Sequence, residues 1–416
     1  MEYVRIEQIA SEWGISVRRV QTLCAEGKLV GAMRFGRDWM IPRDAKRPVD
    51  GRTKAGRMMI QGDEGADMPL PRKTPFLYMT DLYNSPGNAD AGGELLAYNR
   101  EARLLYEGGV AYSRGEIDKV YAIADFLLGK HSGFYAVLSA GMLLAFCAMW
   151  RADMDLWDKA KRHICEAPAQ NDADRDIMSL TITAVDGMLY DMESFPEWFK
   201  IGNFEPLHPD SLPAAKVFYA KYLYAGGYAL ATGQIEMEGL KGLTLMTLLP
   251  NTIEPMISQA MADRSIIAEI HLRLICATVY LHSGNKREAT RHVDRAIALA
   301  LPDRLYGILT EYRRILDSLM DERLRLADAD AMARVEELYK KFSVGWAKLS
   351  GSVRKRNIVT NLTMREREVA KMAAFGLSSS EIAEKLHLSL ASVKQTVRNA
   401  IYKTGVENKA ALASIL

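Results

Sequence analysis

From Asn361 to Ile415 the chain reads NLTMREREVAKMAAFGLSSSEIAEKLHLSLASVKQTVRNAIYKTGVENKAALASI, a run that marks the ends of its own helices. Thr363 followed three residues later by Glu366 is the pattern of a capping box, in which hydroxyl and carboxylate each satisfy a backbone N–H at the helix start. Val369, Met372 and Ala373 give that helix one apolar side, and Gly376 ends it, so the spacing predicts a helix over about 364–375. Ser378 or Ser379 opens a second helix with Ile382, Ala383 and Leu386 inward. The turn HLS follows, Ser389 opens a third helix, and a fourth is expected over about Glu407 to Leu416.

In the third helix Val393, Val397, Ile401 and Thr404 fall at offsets of four, eight and eleven and share one face. The opposite face is polar and basic. Lys394, Gln395 and Arg398 stand on it, with Ser392 and Asn399 beside them, as candidate DNA-binding residues. A helix lying in the major groove presents such side chains to base edges; Arg and Lys suit guanine or phosphate, and Gln suits adenine. The plain alternative is a solvated helix face.

The runs LTMREREV, GLSSSEIAEKL, LSLASVK and IYKTGVEN together resemble the LuxR-type (GerE-like) helix-turn-helix over roughly 55 residues. That resemblance implies sequence-specific binding to double-stranded DNA as a homodimer, with the last helix at or near the dimer contact. It also makes Glu366 and Glu368 helix-start residues rather than an acid/base pair. Two positions depart from the family pattern: Thr396 stands where a histidine is usual, and Thr404 where leucine is.

The other end of the chain carries a second pattern of this kind. Ile6, Ile9, Ala10 and Trp13 line one helix, Gly14 turns, and Ser16 caps a helix with Val17, Val20 and Cys24 inward and Arg18, Arg19 and Gln21 outward. KLVGAMRFGRDWMIP then offers two short strands turning at about Gly36, with Arg34 and Arg37 near the tip and Trp39 and Ile41 closing the core. This segment is similar to the excisionase-type and MerR-like winged helix-turn-helix. The resemblance implies that its second helix enters the major groove and its wing touches the backbone or minor groove. No sustained heptads follow, so the coiled coil of the MerR arrangement is missing. The alternative is a small domain that grips protein.

Charge follows the same division. Residues 1–57 carry +5 and residues 352–416 carry +6, which leaves −9 on the stretch between them within a net +2. Basic ends on an acidic body put the attraction for phosphate at the termini.

Between the ends, helical patterns follow one another from about Leu95 to Phe342. In YLHSGNKREATRHVDRAIALALPD, Gly284, Ala289, Ala296 and Pro302 have spacings that resemble a tetratricopeptide repeat, whose small residues let paired helices approach closely. Gly115 and Ala152 fall near comparable turns, although a plain helical bundle remains open. The expected fold is mainly α: a tetratricopeptide-like helical-repeat body flanked by an N-terminal winged helix-turn-helix and a C-terminal four-helix LuxR-type helix-turn-helix. Its boundaries fall at 1–52, 53–94 (linker), 95–350 and 358–416.

Enzyme constellations are missing: the chain has no GxxxxGK[ST], HExxH, GxSxG or GxGxxG after a strand, so no catalytic activity and no cofactor is expected. Four scattered cysteines and seven histidines, among them His271, His282 and His292, show no metal-ligand spacing, and a reducing cytoplasm fits best. Trp157 and Trp198 read as core anchors near breaks, where a ligand pocket is the alternative. The apolar run Phe134 to Trp150 is short for a membrane span and is expected to be a buried helix. The function these features point to is a one-component transcription regulator whose body senses an unidentified effector or partner. The alternative is a helical scaffold using its two heads as protein adaptors.

Overall fold

The computed structural model describes residues 3–25, 29, 32–35, 38–43, 45, 70–129, 132–235, 242–353, 362–404 and 406–414. Two compact units divide the chain, Met1–Ala66 and Asp67–Leu416.

The first unit runs β1 (Tyr3–Arg5), α1 (Ile6–Trp13), α2 (Val17–Ala25), β2 (Met33–Phe35) and β3 (Asp38–Pro42). β3 lies between the other two strands, antiparallel to both, with Val4 opposite Ile41 and Arg34 opposite Trp39. Ile6, Ile9 and Ala10 from α1, Val20, Leu23 and Cys24 from α2, and Ile41 form its core, against which Trp13 and Trp39 pack half-buried. The β2–β3 hairpin lies where two strands were expected. β1 was not expected, because three residues of extended chain carry too short an alternation to stand out.

The second unit begins inside its own core. Phe76, Leu77, Tyr78, Met79 and Tyr83 are buried. Asp303 fixes the turn that follows: the Tyr83 hydroxyl and the Gly87 amide each donate to Oδ2 at 2.5 Å, and the Ala89 amide donates to Oδ1 at 2.9 Å. This corrects the expected linker over 53–94, since the chain is packed from Thr74 onward. The anchoring acceptor lies more than two hundred positions away, a relation that local composition does not register.

The body continues with α3 (Ala89–Leu95), α4 (Arg100–Arg114), α5 (Ile117–Leu128), α6 (Phe134–Arg151), α7 (Met154–Cys165), α8 (Asp172–Met188) and α9 (Glu197–Lys200). Then come α10 (Leu212–Ala231), α11 (Gly242–Ala262), α12 (Ile266–His282), α13 (Lys286–Ala300), α14 (Tyr306–Ala327) and α15 (Ala329–Val353). Neighbours in sequence pack on one another, α4 on α5, α6 on α7, α12 on α13 and α14 on α15. The turns after α4, α6 and α12 pass through left-handed residues Gly115, Ala152 and Gly284. Ala289 and Ala296 are fully buried where α13 meets α12.

α6 is the centre of the body, with every side chain from Leu138 to Trp150 buried. Its apolar length is accounted for by helices on its sides. Two glycines let the last hairpin reach the first ones: a Cβ on Gly345 of α15 would stand 2.0 Å from the Met149 carbonyl oxygen, and one on Gly307 of α14 would stand 2.4 Å from that of Tyr112. α14 bends at Asp317, whose φ of 45° and ψ of −121° are not helical.

After the body come α16 (Met364–Ala374), α17 (Ser379–Leu386) and α18 (Leu390–Thr404). Where a fourth helix was expected, the described chain makes a 3-10 turn, Ala410–Ser414. Asn408 accepts the Ala411 amide at its start, and Leu412 is buried against Leu362, Ala370 and Ala400.

Candidate nucleic-acid interface

Both helix starts are locked as their sequence requires. Thr363 accepts the Glu366 amide while the Glu366 carboxylate accepts the Thr363 amide at 2.8 Å. Ser378, rather than Ser379, does the same with Glu381, and the returning bond holds the Glu381 carboxyl below its usual range. His387 closes α17 in the left-handed conformation, with its amide bonded back to the Ala383 and Glu384 carbonyls. The Arg365 guanidinium donates to the Leu386 carbonyl at 2.7 Å, tying α16 to that turn.

These constraints fix the roll of α18. Val393 and Ala400 are fully buried, and Val397 and Ile401 half-buried, against Val369, Ala373, Ile382 and Leu362. Ser392, Lys394, Gln395 and Arg398 are therefore exposed on the opposite side. One helical turn separates Lys394 from Arg398, about 6 Å along the axis. The Gln395 side-chain amide donates to Asn399 Oδ1 at 2.8 Å. Asn399 is half-buried and lines a cleft with Tyr402 and Lys403 of α18 and Arg313, Asp317, Glu336, Tyr339 and Lys340 of the body. The Thr396 hydroxyl donates to the Ser392 carbonyl, and that of Thr404 to the Ala400 carbonyl, so both departures from the family pattern bond within their own helix.

Sequence reasoning missed Lys403. Its ammonium is buried and donates to Glu366 at 2.9 and 3.1 Å, with Asp317 of α14 at 2.9 Å. The Tyr228 hydroxyl donates to the Leu362 carbonyl, and Lys371 donates to the Thr232 carbonyl at 3.1 Å. Three body residues, Tyr228, Thr232 and Asp317, thus hold the C-terminal helices. A lysine on a helix face gives no local sign of such partners.

In the N-terminal unit Arg18 and Gln21 are exposed on α2, and Arg19 is half-buried. The Arg19 amide donates to Ser16 Oγ at 3.3 Å, the start predicted for that helix. Arg34 is exposed on β2, and Arg37 lies outside the described residues.

A second cluster escaped the sequence because its members are far apart in the chain. Donor atoms of Glu254, Cys276 and His292 lie within 4.8 Å of one another. Hydrogen bonds engage its carboxylate: Tyr280 donates to Glu254 at 2.9 Å, and His292 Nε2 lies 3.3 Å from it. Burial pushes the Cys276 thiol up to about 12. Burial and the neighbouring Arg291 guanidinium hold the His292 imidazole below its usual range.

Residues 360–416 match the model of a family described as bacterial regulatory proteins, luxR family. No curated protein and no solved structure matches the chain. The matched segment contains α16, α17, α18 and the terminal 3-10 turn, the elements that set out Lys394, Gln395 and Arg398.

Proposed function

From the premise that residues 360–416 are a LuxR-family domain, that of a DNA-binding transcription regulator, we propose a one-component regulator that reads its operator with α18 and senses an effector with its helical body. The observation that carries this reading is the basic face of α18, with Lys394 and Arg398 exposed one turn apart while the reverse face is locked into the core. Arg398 and Gln395 read bases, and Lys394 neutralises phosphate. A homodimer through the Ala410–Ser414 region doubles the contact, as expected for two half-sites.

The body is a stack of helical hairpins of tetratricopeptide type, supported by the left-handed turns at Gly115, Ala152 and Gly284 and the buried alanines of α13. The N-terminal unit is a second, winged reading head. Its support is two short helices and an antiparallel hairpin with Arg18, Gln21 and Arg34 exposed. The sensing role is supported by the hold of body residues on the C-terminal helices, since a ligand that shifts α14 acts on Lys403 through Asp317.

The test is a genomic binding map of the full chain beside its Arg398→Ala variant. Discrete sites whose occupancy falls in the variant support the reading; a map without discrete sites, or one unchanged by the variant, overturns it.

A further inference from the structure

One cluster in the core of the body holds two positive side chains and one negative. Lys221 of α10, Glu311 and Arg314 of α14 are each more than nine-tenths buried, at 9%, 8% and 4% exposure. The single carboxylate is already engaged: the Lys221 ammonium lies 3.7 Å from Glu311 Oε2, and the Tyr112 hydroxyl donates to Oε1. His271, the third titratable side chain beside Lys221, bonds to the Tyr312 hydroxyl at 3.1 Å, and burial holds it neutral.

Arg314 feels the charges of Glu311 and Lys221 but forms no hydrogen bond or ion pair with either. Its guanidinium lies over Trp346, 3.8 Å from the ring centroid, and 5.5 Å from that of Tyr190. Nε and Nη1 are buried and meet no hydrogen-bond acceptor among the described residues. The other carboxylate of α14 nearby, Asp317, is turned to Lys403. Two buried cations therefore face one buried carboxylate. An arginine cannot shed its proton to relieve this. Stacking on an indole offsets only part of the cost of a desolvated, unpaired charge.

We propose that Arg314 is the binding residue for a small monovalent carboxylate, the effector of the body. The inference rests on the sensing role proposed above and names its ligand class. One negative charge neutralises the excess, and its two oxygens supply the acceptors that the guanidinium lacks. The Trp346 and Tyr190 rings beside the guanidinium suit an apolar body on that carboxylate and offer a phosphate dianion little compensation for its lost water. The site lies one helical turn before Asp317, the residue that holds Lys403.

The experiment is thermal unfolding and calorimetry of the full chain with acetate or benzoate, against the neutral acetamide and benzamide and against inorganic phosphate, all at equal ionic strength. A carboxylate is expected to raise the midpoint in proportion to the logarithm of its concentration, with no response to either amide. Arg314→Met is expected to weaken carboxylate binding about 10- to 100-fold, and Arg314→Lys to retain part of it. The proposal is overturned if neither carboxylate stabilises the wild-type chain, if the amides do so equally, if phosphate does so more, or if Arg314→Met binds as well. The comparison of carboxylate with amide needs no variant and stands if Arg314→Met fails to fold. DNA affinity is read on the same samples. Carboxylate bound at Arg314 without a change in DNA affinity would refute the sensing role and leave the site standing; no carboxylate binding would refute the site and leave the sensing role open to other ligands.

Discussion

Lys403, in the last turn of α18, forms an ion pair at 2.9 Å with Asp317, the residue at which the body helix α14 loses its helical geometry. The pair joins a side chain that is 4% exposed to one that is 45% exposed. A non-glycine residue in this region of backbone space costs on the order of 1–3 kcal/mol, held in place by what surrounds it. The same cleft takes in Asn399 and Tyr402, so the body lies against part of α18, the helix proposed to read DNA. Asp317→Asn removes the charge on the body side and leaves Lys403 its partner Glu366 within the C-terminal helices. An ion pair with one exposed member is worth about 0.2–1 kcal/mol, so DNA affinity is expected to rise by up to roughly fivefold. Titration of a labelled operator measures it, and an unchanged or weaker affinity speaks against the body restraining the head.

Base reading and phosphate contact separate by their salt response. On the proposed reading, Arg398→Ala is expected to cost about 1–3 kcal/mol on the operator and little on random DNA, the signature of a lost bidentate contact to a base edge. Lys394→Ala is expected to weaken both by a similar factor and to reduce the slope of log K against log salt by about one. Titrations at several salt concentrations check both. Equal losses on operator and random DNA for Arg398→Ala would remove it from base reading.

What could be read from the sequence follows from how local each device is. The capping box of Thr363 and Glu366, the cap at Ser378 and the inward stripe Val393, Val397 and Ile401 are settled within one or two helical turns, and all are found as the spacing predicts. The small residues of α13 and the left-handed turn at Gly284 were legible for the same reason. The packing of Phe76 to Tyr83 was not, because its anchor is Asp303. Lys403 reads as one more solvated lysine, and its burial depends on Asp317 and Glu366, residues distant in sequence. Glu254, Cys276 and His292 meet only once three helices have packed.

The crossing of α15 over α6 tolerates no side chain at its closest point. A Cβ at Gly345 would stand 2.0 Å from the Met149 carbonyl oxygen and 3.0 Å from that of Trp150, both backbone atoms that cannot rotate away. Gly345→Ala is expected to force the helices apart at a cost of about 1–3 kcal/mol, or more where the movement breaks packing around Trp346. Denaturant unfolding measures it, with Gly351→Ala as control, since nothing lies within 4 Å of a Cβ there. Equal stability of the two variants would show that the crossing is looser than described.

Acid should loosen the hold of the body on the C-terminal helices. His282 is buried between the rings of Tyr224 and Tyr228, and burial, together with the Lys403 charge, pushes its pKa down to about 3 from 6.5. The unfolded chain therefore binds a proton on this residue between those values while the folded chain does not. Stability from His282 is fully present above pH 6.5 and is lost as pH falls toward 3. His271, also buried and held well below its usual range, adds in the same direction. The loss from His282 alone between pH 6.5 and 5 is on the order of 2 kcal/mol, since each pH unit across that window corresponds to about 1.4 kcal/mol. Tyr228 is the residue that bonds Leu362, so protonation of its neighbour strains one of the attachments between the body and the C-terminal helices. Denaturant unfolding of the wild-type chain and of His282→Gln at pH 7.5 and 5 measures the effect. The wild type is expected to lose more stability than the variant across that interval. Equal losses would assign the acid sensitivity to other groups.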